Sequence, residues 1–135
     1  MTAVLHRGSC LCGGVRYELT ADIQAVTHCH CSQCRKAHAA AFGSYGSVRR
    51  PNHVFTQGVD LLRHYRSSAH VTRSFCSVCG SAMAWQQSEG AYTDWVSIPL
   101  GTLDTPLVPR KQRHVHTDTR APWHAAQADE APGQS

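Results

Sequence analysis

Seven cysteines in 135 residues are the first chemistry this sequence offers, and all seven lie in short-spaced clusters. Cys76-Ser-Val-Cys79-Gly80 is a CxxC followed by glycine, the turn that aims two thiolates at one ion and lets backbone N–H groups approach the sulfurs. Cys10-Leu-Cys12-Gly13-Gly14 offers two more thiolates on an equally glycine-rich loop. Together the loops supply the four ligands of a closed tetrahedral zinc site, Cys10, Cys12, Cys76 and Cys79. A thioredoxin-like redox role for Cys76 and Cys79 would need a βαβ context that the surrounding pattern lacks.

Cys29-His-Cys31-Ser-Gln-Cys34 is a different arrangement. In an extended segment, Cys29 and Cys31 point to one face and His28 and His30 to the other. Cys34, at the start of a helix, can curl back to join the first face, and the helix N-terminus helps to hold thiolate charge. Three thiolates with no obvious fourth partner match a functional zinc with one open position. The alternative is a second structural site completed by His30 or His38 nearby, or by His114 or His116 from the distal segment. An ion held by three thiolates is a weak Lewis acid. It is suited to a further soft ligand, a substrate thiol whose pKa it lowers. Carbon–sulfur bond formation or cleavage is therefore expected ahead of hydrolysis.

The elements that must position these residues read as mainly β. Val15, Tyr17 and Leu19 alternate with polar neighbours as a half-buried strand does. Further strands are expected over 25–30, 42–48, 54–55, 61–66, 71–76, 82–86 and 95–100, with turn residues between them. Ser32 to Ala40 is the one helical candidate, with Ser32 at the cap. From Pro106 the chain is expected to be extended. Residues 1–123 form the expected zinc-binding domain, and 124–135 an expected disordered tail.

The net charge is +4, with ten histidines and dispersed basic residues, a pattern that argues against a specialised nucleic-acid binder. No run approaches the roughly 20 apolar residues of a membrane span. The N-terminal apolar stretch is too short for a secretory signal, and a reducing, cytoplasmic setting is expected.

Gly8-Ser-Cys-Leu-Cys-Gly, Cys29-His-Cys-Ser-Gln-Cys-Arg-Lys, Ser74-Phe-Cys-Ser-Val-Cys-Gly-Ser and Ala121-Pro-Trp, taken in order, resemble the signatures of the glutathione-dependent formaldehyde-activating enzyme family, the CENP-V/GFA domain. The resemblance runs from about Arg7 to Trp123. It implies a β-tent fold of short antiparallel sheets stapled by zinc, with one short helix after Cys31. It also implies a structural zinc on Cys10, Cys12, Cys76 and Cys79, and a second zinc on Cys29, Cys31 and Cys34 where glutathione displaces a ligand. The activity it implies is that of a carbon–sulfur lyase joining glutathione and formaldehyde into S-hydroxymethylglutathione. Arg35, Lys36 and Arg120 are candidates to meet the carboxylates of such a thiol. Trp85, Trp95 and Trp123 are candidates for a pocket, with the core the commoner place for them. A non-catalytic zinc module binding a protein or nucleic acid is the alternative, since the domain also occurs in the chromosome-associated CENP-V. A metal-storage or redox-sensing role is a third reading, confined to the second site.

Overall fold

The computed structural model describes residues 3–124. Of the tail expected from His124 onward, only His124 is described, its ring 5.8 Å from that of Phe42; the rest lies outside the described residues.

Two sheets carry the fold. The smaller joins β1 (His6–Ser9), β2 (Arg16–Leu19) and β5 (His53–Gln57), all antiparallel. The larger runs β10 (Gln112–Val115), β3 (Val26–Cys29), β4 (Gly43–Arg49), β9 (Trp95–Pro99), β8 (Ala82–Gln87), β7 (Val71–Cys76) and β6 (Leu62–Ser68). The mainly β expectation, with two sheets and one helix, holds. One pairing departs from the expected antiparallel pattern: β10 runs parallel to β3, with Val115 opposite Cys29.

Alternation decides which side chains meet between the sheets. Tyr17 and Leu19 on β2 are buried while Arg16 is exposed, and they pack with Val15, Ile23, Val48, Met83, Val96 and Ile98. Burial of each large apolar side chain contributes on the order of 2 kcal/mol. Strand β9 sits mid-sheet and is buried from Val96 to Pro99, which explains its run of apolar and small residues. The small sheet is tied to the chain after β9 by polar contacts. The Tyr17 hydroxyl lies 2.9 Å from that of Thr102, and Ser9 donates to the Asp104 carboxylate at 2.6 Å.

Gly58 shows how closely the first cysteine loop is held. Its φ is +79°, and a Cβ there would lie 2.1 Å from the backbone oxygen of Gly14, so no other residue fits without moving the loop.

The single α-helix among the described residues, α1 (Ser32–His38), is shorter than expected and differently capped. Cys31, not Ser32, is the N-cap: its sulfur accepts the Cys34 N–H at 3.3 Å. Ala39 stops the helix in a left-handed conformation, its N–H turned back to the Arg35 and Lys36 carbonyls. The cap is therefore itself one of the metal-ligand candidates, which ties the helix start to the sulfur cluster.

Candidate metal centres

The first centre joins two loops far apart in sequence. Cys10 and Cys12 lie between β1 and β2, while Cys76 and Cys79 lie at the turn from β7 to β8. Their four sulfurs fall within 4.8 Å of one another. Cys10 and Cys12 are 3.5 Å apart and Cys12 and Cys76 are 3.9 Å apart. A tetrahedral ion with metal–sulfur bonds near 2.3 Å sets its sulfurs about 3.8 Å apart, so the donor set and the spacing both fit. The backbone supports the charge. The Val15 N–H donates to the Cys10 sulfur at 3.2 Å, and the Ser81 hydroxyl lies 3.3 Å from Cys79. Hydrogen bonds from Ser81 draw the Cys79 thiol down to about 5, a thiolate ready for metal at neutral pH. Cys10 and Cys76 are buried, so this centre also fills the core between the sheets.

The second centre is local in sequence and open in space. Cys29 ends β3, Cys31 caps α1, and Cys34 is buried one turn in; their three sulfurs lie within 4.8 Å of one another. All three line a cavity of about 550 Å³, within the range that takes small ligands. Thr27 and Arg113, on β3 and β10, face this cavity with Cys29.

The other face of the same strands holds the histidines. His28 bonds Ser44 at 2.8 Å and Gln112 at 2.9 Å. His30 is fully buried, with Nε2 2.8 Å from Nδ1 of His114. The expected split of cysteines and histidines between two faces is what the strand builds. Of the four histidines considered as a fourth ligand, His30 and His114 are engaged on that far face, and His38 bonds the Tyr45 hydroxyl. Only His116 shares the cavity with the sulfurs.

The basic residues are distributed differently from expectation. Arg35, Lys36 and Arg120 are not in the cavity wall; Arg73 on β7 and Arg113 on β10 are. Arg73 is fixed at three points: Nε donates to the Ser67 hydroxyl at 3.1 Å, Nη1 to the Tyr45 hydroxyl at 3.0 Å, and Nη2 to the Cys34 sulfur at 3.7 Å. A hydrogen bond from Cys29 pulls the Cys34 thiol down to about 5 against its burial, and Arg73 pulls the same way. Cys29 is pushed up, chiefly by the same shared bond. Sequence reasoning missed both arginines, because Arg73 sits about 40 and Arg113 about 80 residues from the cysteines they face, and no local motif marks either.

The tryptophans also fall elsewhere than the core. Trp85 lines the cavity, Trp95 stacks under Arg49 with the guanidinium 4.8 Å from its ring centre, and Trp123 is exposed.

Residues 5–119 match the profile of the glutathione-dependent formaldehyde-activating enzyme (GFA) family. The chain belongs to that family. Both cysteine groups lie inside the matched span, so the two centres are part of the GFA domain itself. A crystal structure of a Rhodobacter sphaeroides protein is similar in fold, with a TM-score of 0.60 at 21% identity over 79% of this GFA chain and 99% of that one. Among the described residues no helix is long and apolar enough to cross a membrane.

Proposed function

We propose that this GFA-family chain is a zinc-dependent carbon–sulfur lyase-type enzyme acting on an adduct of glutathione or another small thiol, with S-hydroxymethylglutathione as the adduct to test first. The observation that carries the reading is the cavity: three convergent sulfurs in a wall whose charged lining residues are arginines, with no Asp or Glu among the described residues that line it. Such a site suits an anionic substrate with a soft reactive atom. The four-sulfur centre is assigned a structural zinc, and Cys29, Cys31 and Cys34 would hold a second.

When bound there, zinc supplies one thing, stabilisation of a substrate sulfur as its thiolate. The rest falls to the chain. In the forward direction the substrate S–H bond breaks, a carbon–sulfur bond forms at the aldehyde carbon, and the carbonyl oxygen ends as a hydroxyl. Arg113 is at the cavity wall, its Nε donating to the Thr27 hydroxyl at 3.1 Å and its outer nitrogens making no hydrogen bond among the described residues, which suits them to a substrate carboxylate. Trp85 and Tyr92 give that wall apolar surface for the body of the thiol. Seven unpaired cysteines and a thiol substrate fit a reducing compartment such as the cytoplasm.

The test is exchange spectroscopy on mixtures of formaldehyde and glutathione, which also combine unassisted. The expected result is exchange clearly faster than the uncatalysed rate with the native chain, and at the uncatalysed rate with Cys31→Ser. Identical rates with no protein and with the native chain would remove the activity.

A further inference from the structure

A half-buried guanidinium ordinarily pairs with a carboxylate, because burying an unpaired charge is costly. Arg73 does not. Its partners are two hydroxyls and one sulfur, and no ion pair among the described residues includes it. Among the described residues, the one partner it touches that would carry negative charge when ligating a metal is the Cys34 sulfur. Tyr45 then extends the contact: its hydroxyl accepts from Arg73 and meets Nε2 of His38. Burial holds His38 below its usual pKa, so its Nε2 is available to accept the Tyr45 hydrogen. The guanidinium is thus aimed, and its charge is directed at one of the three sulfurs.

The charge count gives this contact a purpose. Three thiolates and a divalent ion sum to −1. Adding a fourth thiolate would take the group to −2 inside a partly desolvated cavity, where like charge is expensive. With Arg73 counted, the same addition ends at −1.

We propose that Arg73 is a positioning residue for thiol binding, acting as the counter-charge that lets the Cys29, Cys31 and Cys34 group accept a fourth, substrate-derived sulfur. This rests on the zinc–thiol reading above and names the residue that makes it electrostatically workable. In the binding step the thiol S–H bond breaks, its proton leaves to solvent, and no electrons are gained or lost. Arg113, at the same wall, has a different task in this scheme, because its hydrogen bond among the described residues goes to Thr27 and not to a sulfur.

The experiment uses the full chain loaded with cobalt(II), whose sulfur-to-metal charge-transfer absorption grows with each added thiolate. Native chain, Arg73→Gln and Arg73→Lys are each titrated with glutathione and with uncharged 2-mercaptoethanol. For the native chain, absorption rises with both thiols. For Arg73→Gln, affinity for both falls by about tenfold or more, with unchanged thermal midpoint and cobalt content. Arg73→Lys, which keeps the charge, recovers much of that loss. If Arg73→Gln loses affinity for glutathione only, Arg73 binds a substrate carboxylate and the proposal is overturned. Native-like affinity for both thiols overturns it too, while the zinc–thiol reading stands. No rise with either thiol in the native chain overturns that reading and the proposal with it. Should Arg73→Gln fold poorly, Arg73→Met, which keeps the length of the side chain and drops its charge, is titrated in its place against Arg73→Lys. Affinity for both thiols falling in Arg73→Met but kept in Arg73→Lys supports the proposal, and native-like affinity in Arg73→Met overturns it.

Discussion

The two cysteine groups use the same atom type and nearly the same spacing, yet they are placed in opposite ways. Cys10, Cys12, Cys76 and Cys79 bring together loops more than sixty residues apart and join the small sheet to the large one. Cys29, Cys31 and Cys34 span six residues, connect a strand to the helix that follows it, and face a cavity. A metal at the first group closes a long loop, so its binding free energy is largely folding free energy. A metal at the second closes almost nothing, and the strand and helix that hold it are already fixed by β4 and β10. Ligand count alone does not distinguish the two groups; the length of chain each encloses and its access to solvent do.

The sharpest way to break this contrast is to remove one sulfur from each group. Cys76→Ser is expected to leave the chain unfolded, since apparent binding energies at structural zinc sites, about 10 kcal/mol or more, match the whole stability of a small domain. Cys31→Ser is expected to melt within a few degrees of the native chain while its zinc content falls from two to one. Circular dichroism melts and native mass spectrometry read both. Equal unfolding in the two variants would erase the distinction.

A smaller effect sharpens the first half of the comparison. Gly58→Ala drives a methyl group into the Gly14 carbonyl and forces a left-handed residue, at a cost of about 3 kcal/mol. The expected fall in melting midpoint is about 10 °C, accompanied by faster loss of the structural zinc to a chelator. The second group should keep its metal affinity, because Gly58 is remote from it.

The smallest effect is acid sensitivity of the small sheet. Burial lowers His53, on β5 beside Phe55, to about 4, whereas the unfolded chain titrates near 6.5. Between those values the unfolded state binds the extra proton. Stability from this group is therefore full above pH 6.5 and is lost as pH falls toward 4, by about 2 kcal/mol at pH 5. His53→Phe is expected to flatten that dependence in urea unfolding at pH 5 and pH 7.5. An unchanged slope would place the acid sensitivity elsewhere.

Much of this contrast is legible in sequence, for physical reasons that differ by element. Strands such as β2 and β7 announce themselves because one face is buried and the other is not, and the cysteine loops because thiolate spacing is dictated by the ion. Strands β1 and β10 do not. His6-Arg-Gly-Ser9 and Gln112-Arg-His-Val115 are edge strands that join their sheets by backbone bonds, with little apolar alternation to mark them. The helix cap was misplaced by one residue because a cysteine sulfur can accept the N–H that a serine oxygen usually takes. Arg73 and Arg113 look like ordinary surface charges until the sheet brings them to the sulfurs.

The parallel pairing of β10 with β3 sets an order of events during synthesis. All four cysteines of the first group have been made once Cys79 is, whereas the cavity lacks the wall carrying Arg113 and His116 until residues 112–116 are made. Domains begin to organise as they emerge, so the four-sulfur group can come together while Cys29, Cys31 and Cys34 still lack the strand that closes their cavity. A product terminated shortly before Gln112 would carry all four cysteines of the first group, with Cys29, Cys31 and Cys34 beside a sheet edge that β10 no longer covers, a candidate for oxidation and clearance.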